Sequence, residues 1–497
     1  MHLLSVPDDV MIIVMRHLSV KELASLSKTC HSLHNLVEEF GWRVYLSLHP
    51  LPSRSFAKST PSWAPRAHVR VNAFIDDQWE RSQFVARPLS DRWMTKLQPI
   101  LAINASRLFL AAGNTIYTYA FGASSNALDD APSIYQEATY STSDSTHPKT
   151  DITSLACCSD DVDDRTVFVG YASGLVEKLI LPPPLSSRQT TYVDASFREA
   201  FDGHGDSIIE SISTTSDHIL SVASSGTVCL RPLSSPETGV QEMIQLNARA
   251  WSSLLSSQYA AFGTSSVHPL VIHDVLPSGI SPDPYFLLDV PTDYARSTAV
   301  YDITSAPMSS PWGASDQVIV SGWYDGQVRV HDLRSSKTSS EPGGSTSSLQ
   351  PTLAFEDPWS FEPIYSISCG GGAGAHIAAG SARHSVVAFW DVRYAGKGWS
   401  VHAPGNDPSP VYSVIVDGPR VFGATQSRGF VLDFGPGVKE ETYPAVDVNV
   451  ASTARWGRHG AGNPRRHGED DLGKKVGAGF YVTKYSHARS KWTGKSL

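Results

Sequence analysis

Residues Ala299–Arg334 read AVYDITSAPMSSPWGASDQVIVSGWYDGQVRVHDLR. Apolar and polar residues alternate through VYDI, and further apolar runs, VIVSGW and VRVHD, flank the turn residues Asp325-Gly326. Alternation of period two marks half-buried strands, and Asp-Gly between two such runs marks a tight turn. The unit recurs. Six further copies begin at Leu97, Asp151, Ser207, Ala250, Pro363 and Pro410, each with an apolar run, a Gly or Asp turn and two more runs rich in small residues. Setting the first-strand positions Ile103, Leu155, Ile212, Leu255, Ile303, Ile367 and Val414 in register gives intervals of 43 to 64 residues. Self-similarity at such a period is the mark of a repeat architecture. The longer intervals coincide with Ser/Pro/Gly-rich inserts at Ser141–Lys149 and Ser335–Ser348, which read as flexible loops.

Several third strands end in Asp after an aromatic or apolar residue: His273-Asp274, His331-Asp332, Trp390-Asp391 and Leu432-Asp433. Gly203-His204 precedes the third copy, and Ser321 to Gly326 is a small-residue strand closing in an Asp-Gly turn. These motifs resemble the WD-repeat family. The resemblance implies an all-β, seven-bladed propeller over residues 78–434, with a strand from about 78–89 completing the last blade. It also implies a target-binding face where the first strands begin. Carried over by position, that face takes Tyr301, Tyr365 and Tyr412, with Tyr324, Arg383 and Gln426 before the tight turns. Tyr and Arg are what a binding hot spot favours, although Tyr at a strand entry is also simply a good β-former. Phosphodegron readers of this architecture present several arginines. Here Arg383 stands alone at that register, with His384, Arg296 and Arg428 in nearby loops, so an uncharged or aromatic-anchored ligand is expected as readily.

The first fifty residues have a different period. In SVPDDVMIIVMRHLSVKELASLSKTCHSLHNLV, Ser5–Val37, apolar residues fall three and four apart: Val10, Ile13, Val14 and Leu18, then Leu23, Leu26, Cys30, Leu33, Leu36 and Val37. Asp8 and Asp9 suit a helix start, and Ser19 with Glu22 forms a capping-box pattern that starts a helix at Val20. A bundle of about 40 residues is near the limit of independent folding and implies a partner surface. The segment resembles an F-box over about residues 5–45, with Val6 where Leu is usual and Leu33 where an aromatic is usual. What this implies is a module of residues 1–50 binding a Skp-type adaptor, and through it a cullin scaffold, by Val6, Pro7, Val10, Ile13, Leu18, Leu23 and Leu26. Some of these would be internal core instead. Residues 51–77, rich in Pro, Ser and Arg at their start, then read as a linker.

Composition narrows the classes. The 497 residues carry a net charge of −9, which argues against a protein devoted to gripping nucleic acid. The apolar run Val10–Met15 is too short to span a bilayer and lacks a signal peptide's positive flank, so no membrane role is expected. Five cysteines without a C-x-x-C spacing fit reduced thiols in cytoplasm or nucleus. No metal or cofactor is expected. The acidic cluster Asp160, Asp161, Asp163 and Asp164 lacks the Gly and terminal Glu of a calcium loop, and the glycine-rich run Cys369–Gly374 lacks the Gly-Lys-Ser/Thr of a phosphate loop. No catalytic constellation is recoverable, so the chain is read as a non-enzyme. Residues 435–497 hold eleven Lys/Arg against six Asp/Glu and read as a basic, largely disordered tail. Arg465-Arg466 and Lys474-Lys475 are weak import signals, and the aromatic end GFYVTKYSHARSKW reads as a docking segment.

Together the two resemblances describe an F-box/WD-repeat substrate receptor of an SCF-type ubiquitin ligase, similar in its weak repeats and basic tail to the dactylin-like branch. The alternative is a WD-repeat scaffold using its F-box-like helices in another complex.

Overall fold

The computed structural model describes residues 6–93, 95–124, 129–143, 147–157, 164–184, 190–201, 203–233, 242–288, 298–309, 315–335, 347–405, 409–446 and 474–488. Cys158, Asp160, Asp161, Asp163, Arg296, the pair Arg465-Arg466 and Trp492, along with most of the 335–348 insert, lie outside the described residues. The chain opens with short helices and continues as a mostly β domain of many strands in several sheets.

The helices are α1 (Asp8–Met15), α2 (Val20–Leu26), α3 (His31–Leu36) and α4 (Trp42–Leu48), with a π-helical turn Val37–Gly41 before α4. The capping box forms as its spacing predicts: the Ser19 N–H donates to the Glu22 carboxylate at 2.7 Å, and the Glu22 N–H donates to Ser19 Oγ at 3.4 Å. The apolar stripe of α1 does not point inward. Met11 and Met15, four apart, join Leu23, Leu33, Leu36, Val37 and Trp42 in the core, which leaves Val10, Ile13 and Val14 exposed. A helix of eight residues this apolar has two candidate faces, and the flexible methionines fill the small core's gaps.

Residues 51–77 are not a linker. They carry α5 (Phe56–Ser59) and most of α6 (Pro65–Glu80), which starts on a proline, a residue well suited to a first helical turn. Along α6, Val69 enters the helical core, whereas Val71, Ile75 and Trp79 enter a core shared with Phe389, Phe430 and Phe434 of the β domain. The Trp79 ring stacks on Phe434 at 3.9 Å. Polar residues that suggest a free connection are instead satisfied across the junction, with the Arg54 N–H and the Ser55 hydroxyl donating to Asp417. The strand that returns from this end is Val85–Pro88, shorter than the expected 78–89 because Gln78–Glu80 complete α6. It runs antiparallel to Gly429–Asp433, with Val85 opposite Asp433 and Pro88 opposite Phe430.

Seven first strands correspond to the seven repeats: Ile100–Ile103, Ile152–Cys157, Ile209–Thr214, Arg249–Leu255, Thr298–Ser305, Ile364–Gly370 and Val411–Asp417. Each begins an antiparallel meander; in the fifth, Ile303 lies opposite Ser321 and Val320 opposite Val330. Successive first strands are neighbours, and Val411–Asp417 neighbours Ile100–Ile103. Short polar side chains stitch them together. Thr153 donates to the Ile209 carbonyl at 2.7 Å, Ser211 accepts from the Ser253 N–H at 3.1 Å, and Asp302 accepts from the Ile367 N–H at 2.7 Å. Ser413 completes the series, accepting from the Leu101 N–H at 3.2 Å. Sheets approach so closely that a Cβ on Gly322 would meet Ile364 at 2.7 Å, and one on Gly170 would meet Ile209 at 2.5 Å. Among the described residues no sheet closes on itself. The fourth and fifth meanders merge into one sheet through Ser265–Ala299 and Ser266–Thr298 pairs.

The tail is a structured addition over two stretches. Residues 435–446 include Tyr443, buried against Arg420 and Asp433, and Lys484–Ser486 adds a strand to the outer edge of the sixth meander, antiparallel to Gly398–His402. Its hydrogen-bonding partner lies more than 80 residues away in sequence, so no local pattern announces it.

Candidate functional site

Six of the seven first strands share one irregularity. Their register to the second strand slips between Ile152 and Ser154, Ile209 and Ser211, Ala250 and Ser252, Val300 and Asp302, Ile364 and Ser366, and Val411 and Ser413. A β-bulge leaves the skipped residue unpaired and re-aims its side chain. The skipped residues are Thr153, Glu210, Trp251, Tyr301, Tyr365 and Tyr412, and all six line one cavity of about 470 Å³ to which every first strand contributes. The local sequence rule is apolar, variable, Ser or Asp. It holds the bulge in place, with the apolar residue buried between sheets and the polar one available for the stitching described above.

The tyrosines expected in register are therefore together. Tyr301 and Tyr365 meet edge-on at 5.1 Å, and Tyr365 stacks with Tyr412 at 5.9 Å. Tyr324, more than half exposed on the turn after Val318–Trp323, reaches Tyr301 at 6.3 Å. Gln426 joins through a side-chain hydrogen bond with Tyr412, which Gln98 also makes. Arg383 stands apart: it does not line the cavity and faces Glu362 at 3.6 Å from an exposed turn. His384 beside it is exposed, and Arg428 is buried.

Trp251 is the residue that keying on tyrosine misses, although Ala250-Trp251-Ser252 carries the same rule as VYD, IYS and VYS. Its ring packs edge-on against Tyr301 at 5.1 Å, and its Nε1–H donates to Ser265 Oγ at 2.7 Å. The Arg249 guanidinium lies 3.9 Å over that ring and pairs with Glu210 at 2.8 Å. No Lys or Arg is among the residues lining the cavity, whereas Glu210 and Asp302 are. Burial raises the Glu210 carboxyl despite Arg249, and burial pushes Asp302 up to about 7 against the two N–H groups it accepts from. Burial also raises Tyr301 and Tyr412, with Tyr365 adding to both. The mouth is thus aromatic and carries little free charge, because Glu210 is paired with Arg249 and Asp302 is buried on two backbone N–H groups, and it suits apolar or aromatic side chains.

The second surface is the outer face of α1. Pro7, Val10 and Ile13 are exposed, with Ile13 at 56%, and Val14 beside them is at 44%. Val6, Leu18 and Leu26 are half-buried at the edge of the helical core. Leu23 is fully enclosed and so leaves the contact set expected for it, serving as the core residue around which α1, α2 and the π-helical turn meet. Residues 3–43 match the family model of the F-box domain.

The chain carries an F-box.

The match covers the N-terminal module alone, and no curated protein matches the chain. The exposed apolar face of α1 belongs to this F-box, and F-box domains in general bind Skp-type adaptors. Among the described residues no helix is long and apolar enough to cross a membrane, and no three His, Cys, Asp or Glu side chains are grouped to hold a metal.

Proposed function

We propose that this chain is the substrate receptor of an SCF-type ubiquitin ligase. The F-box would bind the Skp-type adaptor, and a seven-bladed WD-repeat propeller would capture the target at its aromatic mouth. What carries the reading is the F-box match at residues 3–43, together with an apolar α1 face left open to solvent. Short helices presenting an incomplete apolar face are a recurring docking mode. The propeller reading is supported by seven meanders whose first strands neighbour one another in cyclic order, and by the Val85–Pro88 strand completing the last of them. The target's anchor would be apolar or aromatic rather than phosphorylated, because the mouth presents four aromatics and no lining cation, and its two carboxylates are already engaged by Arg249 and by backbone N–H groups. Catalysis of ubiquitin transfer is assigned to other subunits of the assembly, held on a cullin scaffold that the adaptor reaches, and the assembly to cytoplasm or nucleus.

The decisive experiment is co-purification of the full chain with a Skp-type adaptor. Retention of the adaptor by the intact chain and its loss with Ile13→Asp is expected. Failure of the intact, folded chain to bind any Skp-type adaptor would leave the scaffold reading instead.

A further inference from the structure

Phe361 is 83% exposed and Trp359 58%, both on the segment 357–363 that joins the fifth meander to the sixth. The segment does not owe this exposure to slack. Asp357, itself buried, accepts from the Ser400 hydroxyl at 2.7 Å, the Tyr485 hydroxyl at 2.8 Å and the Trp359 N–H at 2.9 Å. The Trp359 indole N–H donates to the Ser486 carbonyl at 2.9 Å, which fixes the ring while leaving most of it in water. A braced, solvent-facing Trp with its polar end already satisfied suits an interface anchor. Beside it opens a groove of about 410 Å³, walled by His384, Val386 and His402 and, from the C-terminal strand, by Tyr485 and Ser486. That volume is ample for one large side chain. The far wall is braced as well. His402 Nδ1–H donates to the His384 carbonyl at 2.9 Å, and His384 and Ser385 both hold positive φ, 63° and 49°, a strain of the kind that collects at binding sites.

This ridge is continuous with the mouth. Tyr324 reaches Tyr301 at 6.3 Å, and the turn that carries Tyr324 lies against the Phe361 backbone, where a Cβ on Gly326 would meet the carbonyl carbon at 3.3 Å. Trp359 stands two residues before Phe361, at the lip of the groove. Little free charge interrupts the path, since Arg383 beside it faces Glu362 at 3.6 Å. We propose that the ridge of Phe361 and Trp359, with its groove, holds a second apolar or aromatic side chain of the same extended target segment whose first anchor enters the mouth. The inference rests on target capture at the mouth. It adds that the C-terminal strand, through Tyr485 and Ser486, belongs to the recognition surface. Two anchors on one segment reinforce each other, because the first sets the effective concentration at which the second binds.

The test is panning of phage-displayed random peptides, about 16 residues long and so spanning roughly 50 Å when extended, on the purified full-length chain, followed by fluorescence anisotropy with the enriched peptides. Peptides with two apolar or aromatic positions at a constant separation are expected. Tyr365→Ala, Trp359→Ala and Phe361→Ala should each weaken their binding about tenfold. A peptide whose second anchor is changed to Ala should lose about the same factor and then be insensitive to Trp359→Ala. Phe361→Ala, which removes only an exposed ring, guards against a loosened C-terminal strand in Trp359→Ala. Enrichment of single-anchor peptides, no enrichment, or affinity unchanged by Phe361→Ala or by Tyr365→Ala would overturn the proposal. So would self-association of the chain that Phe361→Ala abolishes, which assigns the ridge to a second copy. Adaptor binding is scored separately on the same variants, so failure of the ridge and failure of the ligase reading are told apart.

Discussion

The ring of Tyr365 lies 5.9 Å from that of Tyr412 and within 22° of parallel, while Tyr301 meets its other side edge-on at 5.1 Å. One aromatic therefore touches two neighbours on adjacent strands, and Trp251 extends the row to a fourth strand. Aromatic pairs of this kind contribute about 0.5–1.5 kcal/mol beyond their buried area. They also preorganise a surface that a ligand would otherwise have to order. Tyr365→Ala should accordingly weaken target capture more than Tyr324→Ala, which removes an exposed ring at the rim. A loss of about 2 kcal/mol or more marks a hot spot, while peripheral residues cost less than about 1. Quantitative capture with purified variants, the adaptor-binding step scored in parallel, checks the order. Equal effects of the two substitutions would contradict it.

Ile13 and Leu23 should separate binding from folding. Ile13 is 56% exposed, so Ile13→Asp places a charge in water and leaves the helical core intact, yet it puts a carboxylate in any apolar groove that covers α1. Leu23 is fully buried, and Leu23→Ala opens a cavity costing about 2–5 kcal/mol. The expected outcome is an Ile13→Asp protein with wild-type circular dichroism and no adaptor binding. Leu23→Ala should instead unfold its helical module at lower urea, with adaptor binding lost only in proportion.

The repeats are legible because each buries an apolar strand beside a turn, and both features are local. The capping box at Ser19 and Glu22 is legible for the same reason. What stays hidden depends on tertiary partners. The α1 face cannot be assigned while Met11 and Val10 are equally apolar, and the polar start of 51–77 conceals contacts that Asp417 satisfies from 363 residues away. Trp251 was within reach. The apolar, variable, Ser/Asp rule spans six strands, and only attention to tyrosine as a residue type obscures it.

Acid should loosen the β domain through its neutral histidines. Burial, aided by the Arg329 guanidinium, drives His331 down to about 3, and burial takes His204 to about 4. Unfolded histidine titrates near 6.5. Between these values the unfolded chain binds a proton that the folded chain does not, so stability is complete above about 6.5 and falls as the pH drops toward 3 or 4. Asp302, raised to about 7, acts with the opposite sign, since its neutral form is favoured in the fold and its contribution fades as the pH rises through 7. His331→Leu should reduce the slope of unfolding free energy against pH by about 1.4 kcal/mol per unit between pH 6 and 4. Urea melts at several pH values provide the measurement, and an unchanged slope would mean that His331 is protonated in the fold.

Arg420 and Asp433 form a buried pair at 3.2 Å, each under 5% exposed, where the last meander receives the Val85–Pro88 strand. The Tyr443 hydroxyl also donates to Asp433, and Arg420 donates to the Pro132 carbonyl, so the pair ties the first meander and the tail to the last meander. A buried pair contributes little over a well-packed apolar one, but breaking it leaves a charge uncompensated at about 3–5 kcal/mol. Arg420→Met should therefore destabilise by about that amount, and Tyr443→Phe by about 1.5–3, the range for a lost hydrogen bond to a charged group. The double variant Arg420→Met/Asp433→Leu should recover part of the loss, because it removes the stranded carboxylate as well. Additive effects of Arg420→Met and Asp433→Leu would show that the two act independently, each held by its other buried partner, the Pro132 carbonyl for Arg420 and the Tyr443 hydroxyl for Asp433.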